Sequence, residues 1–426
     1  MKNYLFYIAI AFTLVNCQQK KDAATIEKST NQIVIGQIDS VYSNILGESR
    51  NIWVHIPESA KDSTFIPTKY PVLYVLDGPG HFYSVTGMIK QLSAKNGNTI
   101  VPEMIIVAIP NTNRSRDLTP THVDFDFFSG DSIRYDSGGG NKFLDFMEDE
   151  LIPHIEKTYP AATYRTFVGH SFGGLSVINA LINRQHLFNN YVAIDPSLWW
   201  DNQAFLNVAD SILSTNTFQG KSLYVGVANT MKEGMIINDV NNDTTLNTVH
   251  IRSILQFVNA RDTQNDNGLH FGWKYYDNDD HGSVPLITEY DALRFLFYWY
   301  KMSGLNAFYD PKSNTTVEEL LEVIHAHYKN ISDNFGYQVH PPEQFINSLG
   351  YGFMNNSMQE KAAALFDLNI QNFPKSSNVY DSRGDCFLAQ QDSVKALEYF
   401  TKALEVGNNI FSQEKIDTLK ENLKIE

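Results

Sequence analysis

The residues with the plainest chemical potential are Gly169-His170-Ser171-Phe172-Gly173, followed by Gly174. A serine with glycine two places away on each side, directly after the apolar run 166–168 and before a helix-forming stretch, fits a sharp strand-to-helix turn. Such a turn strains the serine backbone and brings neighbouring chain so close that only glycine leaves room. It lifts the hydroxyl clear of the strand ends and aims a helix N-terminus at any oxyanion formed there. The chemistry in view is nucleophilic attack by Ser171 on a carbonyl carbon. A serine hydroxyl is a poor nucleophile at neutral pH and requires a base. His281 is the expected base, since Asp277-Asn278-Asp279-Asp280-His281-Gly282-Ser283 follows a strand-like run and precedes a long helical one. His250, inside a helical run, and His270, ahead of that strand, are its rivals.

These groups need a scaffold to bring them together. Strand-like runs are predicted at 33–41, 51–56, 71–76, 104–109, 166–169, 191–194, 222–228 and 272–276. Several are continuously apolar, as strands buried on both faces must be. Helix-period segments lie between them at 84–94, 142–158, 173–183, 203–213, 248–259 and 284–301. In the second of these, Phe143, Phe146, Met147, Leu151, Ile152 and Ile155 step by three and four, marking one buried face. The alternation predicts an α/β domain with a mainly parallel sheet and helices on both sides. The first two strands, joined by the short turn 44–49, are expected to form an antiparallel edge.

Four stretches in this order carry a resemblance: Leu76-Asp77-Gly78, Asn113-Arg114-Ser115-Arg116-Asp117-Leu118-Thr119-Pro120, Gly169-His170-Ser171-Phe172-Gly173-Gly174 and Asp280-His281-Gly282-Ser283. Together they resemble the "putative esterase" family of α/β-hydrolases, over about residues 33–302. That family includes enterochelin (siderophore) esterases, feruloyl and acetyl-xylan esterases, esterase D and the mycolyltransferases. The resemblance implies an α/β-hydrolase fold and a serine carboxylic-ester hydrolase working through an acyl-enzyme, with no metal or organic cofactor. It also implies the chain order serine, acid, histidine, with the acid after the strand 222–228. Glu233 is the first carboxylate there and the expected acid, and Asp239 is the runner-up. The oxyanion would be held by the N–H of Phe172 and by a second N–H from Asp77-Gly78-Pro79-Gly80-His81-Phe82. Proline has no N–H, so Gly78 or Gly80 must donate, and Gly78 is preferred.

Arg114 and Arg116, after a strand end, are expected either to bind a carboxylate or phenolate or to pin their loop through Asp117. Trp199 and Trp200 follow another strand end at Asp195-Pro196-Ser197 and offer either a stacking surface for a sugar or aryl group or the packing of a lid. Expected substrates are feruloyl or acetyl esters of polysaccharide, or siderophore esters. Acyl transfer to a sugar is an alternative. So is a repeat-mediated binding protein with a vestigial hydrolase site, although an intact Ser171 and His281 argue against it.

The rest of the chain bounds these expectations. At 426 residues it exceeds one ordinary hydrophobic core. Its net charge of −15 repels phosphate backbones, which makes nucleic acid a poor partner. Met1-Lys2-Asn3, the apolar stretch 4–15 and Cys17 read as a signal peptide, with Leu14-Val15-Asn16-Cys17 resembling the lipobox of bacterial lipoproteins. Asn16 stands where glycine, alanine or serine is usual; a plain secretory signal is the other reading. An exported protein, periplasmic or anchored in the outer membrane by lipid on Cys17, is expected, with residues 18–32 as a polar tether. From residue 311 to 426 the pattern is helical. Gly350, Phe353, Ala362 and Phe366 recur as Gly384, Phe387, Ala396 and Phe400, a spacing of 34 that resembles tetratricopeptide repeats. A protein partner for these helices, or a helical appendage without a ligand, is expected.

Overall fold

The computed structural model describes residues 32–423 apart from 67, 94, 96–97, 134, 241 and 263–266. The expected leader, Cys17 and most of the tether lie outside the described residues. Eight strands form one sheet: β1 (Gln37–Ser43), β2 (Glu48–His55), β3 (Tyr70–Leu76), β4 (Ile105–Ile109), β5 (Ala161–His170), β6 (Asn190–Ile194), β7 (Lys221–Ala228) and β8 (Leu269–Tyr276). Their order is β1-β2-β4-β3-β5-β6-β7-β8. β1, β2 and β4 run antiparallel in succession, and every other pairing is parallel. All eight runs anticipated from the pattern are strands, and the edge is the antiparallel hairpin expected. The interior strands β3, β4 and β6 are buried at every residue, which is why they read as unbroken apolar runs.

The helices of the sheet region are α1 (Gly78–Ser93), α2 (Arg114–Leu118), α3 (Gly140–Phe146), α4 (Ile152–Thr158), α5 (Phe172–Asn183), α6 (Ala204–Thr215), α7 (Ile237–Val240), α8 (Val249–Asp262) and α9 (Val284–Leu296). The run 142–158, anticipated as one helix, is instead α3 and α4 joined by a π-helical turn at Met147–Leu151. Pro153, with no N–H to donate, follows that widened turn immediately. Alternate residues of the inner strands feed two cores. Val72, Tyr74 and Leu76 of β3 belong to one core with Leu175, Ile178 and Leu181 of α5 and with Ile251 and Ile254 of α8. Leu73 and Val75 face the other way, towards Val85 and Ile89 of α1 and Leu293 and Leu296 of α9.

Beyond them the chain is all helical: α10 (Val317–Phe335), α11 (Glu343–Asn355), α12 (Gln359–Asn372), α13 (Ser377–Ala389), α14 (Ser393–Val406) and α15 (Ile410–Leu423). α10 begins with a capping box between Thr316 and Glu319. Its Ile331 and Phe335 join the second sheet core, while its Leu320 and Ile324 join a core with α11 and α12. One contact recurs at the spacing of 34. A Cβ on Gly350 would stand 2.7 Å from the Phe366 ring, and one on Gly384 would stand 2.5 Å from the Phe400 ring. Glycine is required at both crossings by close approach. Among the described residues no helix is long and apolar enough to cross a membrane.

Candidate active site

The elbow is as tight as its glycines suggest. Ser171, between β5 and α5, has φ 61° and ψ −116°, a conformation that costs a non-glycine residue about 1–3 kcal/mol. It is held there by hydrogen bonds: its N–H donates to the Ile194 carbonyl at 2.9 Å, and its own carbonyl accepts from Leu175 and Ser197, each at 3.1 Å. A Cβ on Gly169 would lie 2.4 Å from the Gly173 backbone, so the turn closes only with glycine there. The serine hydroxyl pairs with the hydroxyl of Ser197 at 3.1 Å and makes no hydrogen bond to His281 in this rotamer.

His281 lies in the loop after β8. Its Nδ1 stands 2.6 Å from Oδ2 of Asp195, a fully buried residue that follows β6. His250 of α8 brings Nε2 to 2.8 Å from the same Oδ2, and the Ala228 N–H donates to Oδ1 at 3.0 Å. Burial works to raise the Asp195 pKa, but the bonds from the two imidazoles and from Ala228 overcome it and hold the carboxyl well below the usual carboxylate range. The ligand atoms of Asp195, His250 and His281 fall within 4.8 Å of one another, a span that a metal ion would accept. However, 2.6 and 2.8 Å are hydrogen-bond lengths between directly touching atoms.

Glu233, expected against His281, is exposed in the loop after β7 and makes no hydrogen bond to it. Asp239 is exposed as well and accepts from the Ile236 N–H at 3.1 Å. Asp195 occupies the place instead, one strand earlier than expected. A signal for it lies in Asp195-Pro196-Ser197, a carboxylate directly after a strand-like run and just ahead of Trp199 and Trp200. Nothing in the pattern of α8 marked His250 as facing the site.

On the other side of the elbow, Asp77 adopts φ 53° at the end of β3. The Gly80 N–H donates to the Asp77 carbonyl at 2.9 Å, which leaves the N–H of Gly78 as the one the loop can offer. A Cβ on Gly78 would meet the backbone of Ile109 at 2.9 Å, so this position too requires glycine. Arg114 grips Asp77 with two bonds, 2.7 and 3.0 Å, donates to the His170 carbonyl at 3.1 Å, and lies 5.3 Å over the Phe172 ring. Arg116 pairs with Asp117 at 2.7 Å and with Glu48 at 2.9 Å. Of the two roles anticipated for these arginines, the geometry is that of loop pins.

Trp200 is buried, and its indole N–H donates to Thr121. Trp199 is half-buried against Phe127 and Phe128, at 5.6 and 4.8 Å between ring centroids. With His122, Asp124, Tyr135 and Asp201, the rings of Phe127, Trp199 and Trp200 line a pocket of about 360 Å³. Phe172 touches both indoles, at 6.1 and 5.0 Å, so the pocket abuts the elbow. His170, next to Ser171, is tilted against His281 at 4.4 Å, and its Nε2 is buried without a partner. Burial first, and then the neighbouring His281 charge, lower its pKa to about 4.

Comparisons with known proteins agree with this architecture. The ferri-bacillibactin esterase BesA of Bacillus subtilis is 30% identical over 176 residues, covering 39% of this chain and 61% of that protein. The siderophore triacetylfusarinine C esterase of Aspergillus fumigatus is 30% identical over 183 residues, covering 40% of this chain and 59% of that protein. The chain thus spans about six-tenths of the length of these relatives. A solved structure described as an IroE-like serine hydrolase from Shewanella oneidensis is 31% identical, with a TM-score of 0.65 over 79% of this chain and 99% of that one. The family described as "Putative esterase" matches residues 43–276, more than half of the sequence, and the chain belongs to that family.

Proposed function

We propose that this protein is a serine carboxylic-ester hydrolase with Ser171 as nucleophile, His281 as general base and Asp195 as the acid that orients it. The observation that carries the reading is the 2.6 Å bond from His281 Nδ1 to the buried Asp195 carboxylate, beside a serine held at φ 61°. That bond keeps the proton of a neutral His281 on Nδ1 and leaves Nε2 with a lone pair for the serine. Rotation about the Cα–Cβ bond of Ser171 swings its hydroxyl from Ser197 towards that lone pair.

In the reaction, Oγ attacks the ester carbonyl while its proton passes to His281 Nε2. The tetrahedral oxyanion accepts hydrogen bonds from the N–H groups of Phe172 and Gly78, at the positive end of α5. Collapse breaks the C–O bond to the leaving group, which departs as an alcohol with the proton from His281. Water then gives a proton to the same nitrogen as it attacks the acyl-serine; collapse breaks the bond from the acyl carbon to Oγ, the proton passes from His281 to Oγ, and the acid is released. Arg114 keeps the Gly78 loop in register through Asp77 rather than binding substrate. The pocket of Trp199 and Phe127 suits a flat aryl or sugar ring next to the ester. Siderophore esters, after the named relatives, and feruloyl or acetyl esters of polysaccharide are therefore the substrates to try. Export and a lipid anchor on Cys17 rest on the leader sequence alone, and a protein partner for the C-terminal helices rests on the 34-residue repeat.

The test is steady-state kinetics on p-nitrophenyl, feruloyl, acetyl and catecholate-siderophore esters. Turnover of at least one class, lost in Ser171→Ala and in His281→Ala, is expected. Full activity in either variant refutes the assignment.

A further inference from the structure

A serine hydrolase needs one imidazole on its acid, and Asp195 receives two. His250 Nε2 and His281 Nδ1 reach the same Oδ2, at 2.8 and 2.6 Å, with their rings nearly perpendicular and 5.1 Å apart. A carboxylate oxygen only accepts, so both nitrogens carry hydrogen. Oδ1 is taken by Ala228. His250 is the second residue of α8, its side chain only 15% exposed against 42% for His281. Ser253 bonds back to its carbonyl at 2.7 Å, and the neighbouring Ile251 and Ile254 are fully buried, so the ring has little freedom to leave the carboxylate.

We infer that His250 is a positioning residue of the site, which fixes the rotation of the Asp195 carboxylate and shares its charge with His281. The inference rests on the reading of His281 as general base. A carboxylate oxygen divided between two donors stabilises a protonated partner less than one offered whole. His250 therefore takes up part of the stabilisation that Asp195 would otherwise give a protonated His281. The other groups facing the His281 ring are His170 at the end of β5 and Asp280 in its own loop. His81, bonded to Glu289, lies beyond His170 at 6.4 Å between rings. Among the described residues, Asp195 and His281 are the charged or titratable side chains that contact His250.

Two variants separate this role from packing. His250→Phe keeps the ring and removes the donor, while His250→Gln restores an N–H. In the full chain with labelled histidine Cε1, the NMR titration midpoint of His281 (assigned with His281→Ala) is expected to rise by about one pH unit in His250→Phe. In His250→Gln it is expected to return to within about 0.3 units of wild type. With p-nitrophenyl acetate, the acidic limb of kcat/KM should move to higher pH by the same amount. Plateau kcat should fall about tenfold with KM nearly unchanged. An unshifted or lowered midpoint in His250→Phe overturns the inference whatever happens to kcat, because a merely structural residue lowers activity and stability without raising that midpoint. The titration does not depend on turnover. A wild type that neither hydrolyses esters nor reacts with a fluorophosphonate would therefore sink the esterase reading, while the NMR result still decided this one.

Discussion

Asp195→Asn isolates the acid with almost no change of shape. In the parent, Oδ1 accepts from Ala228 N–H and Oδ2 accepts from both imidazoles. The asparagine has two orientations. With its oxygen kept on Ala228, the amide NH₂ points at His281 Nδ1 and His250 Nε2, which must then accept. That drives the His281 proton to Nε2, where it faces Ser171 and blocks general-base catalysis. With the amide flipped, NH₂ confronts the Ala228 N–H, leaving a buried donor unpaired at a cost of about 1–3 kcal/mol. At the lower end of that cost, roughly one molecule in six keeps the productive tautomer; at the upper end, fewer than one in a hundred do. Loss of the negative charge opposite the developing imidazolium adds to this, so kcat should fall by about 10³–10⁴. The assay is p-nitrophenyl acetate hydrolysis at the pH optimum, with KM and thermal midpoint measured in parallel. Glu233→Gln, at the exposed residue after β7, should change kcat less than twofold, within the scatter of surface substitutions. A kcat within tenfold of wild type in Asp195→Asn, or an equal loss in Glu233→Gln, refutes the reasoning.

Three further outcomes are expected. Burial and the neighbouring His281 hold the folded-state pKa of His170 at about 4 against about 6.5 unfolded, so the unfolded chain binds the extra proton between those values. Its contribution to stability is therefore fully present above about pH 6.5 and is lost as pH falls towards 4; denaturant melts should show His170→Gln losing roughly 2–3 kcal/mol less across that range, and parallel pH profiles would contradict the assignment. Trp199→Ala empties one wall of the 360 Å³ pocket and should lower kcat/KM for feruloyl or sugar esters about tenfold while sparing p-nitrophenyl acetate, and equal losses on both would remove the pocket from substrate binding. Gly384→Ala drives a Cβ to 2.5 Å from the Phe400 ring and should destabilise the C-terminal helices by about 1–3 kcal/mol in thermal melts with kcat unchanged, whereas a variant as stable as wild type would show that the crossing has room to give.

The strands could be read because burial on both faces leaves unbroken apolar runs, and β3, β4 and β6 are buried throughout. The elbow was legible because Ser171 needs glycine at 169, where a Cβ would stand 2.4 Å from the Gly173 backbone. The 34-residue recurrence foretold two like contacts, at Gly350 and Gly384. Asp195 was missed because strand order in the sheet and the reach of a loop are tertiary facts. The loop after β8 arches back past β7, so the carboxylate that meets His281 is the one ending β6. His250 reads in the sequence only as a rival base, because periodicity marks which residues share a helix face but not what lies opposite. The arginines were ambiguous for the same reason: Arg114 and Arg116 are cations in the sequence, and only the folded chain brings Asp77 and Glu48 to them.

The central claim, that Ser171 is a nucleophile activated by His281, is tested most directly by peptide mapping after a fluorophosphonate reaction. The expected result is a single adduct on Ser171, formed at least about a hundredfold more slowly in His281→Ala. An adduct on the neighbouring Ser197 hydroxyl, 3.1 Å away, or labelling of Ser171 at the same rate without His281, would contradict it.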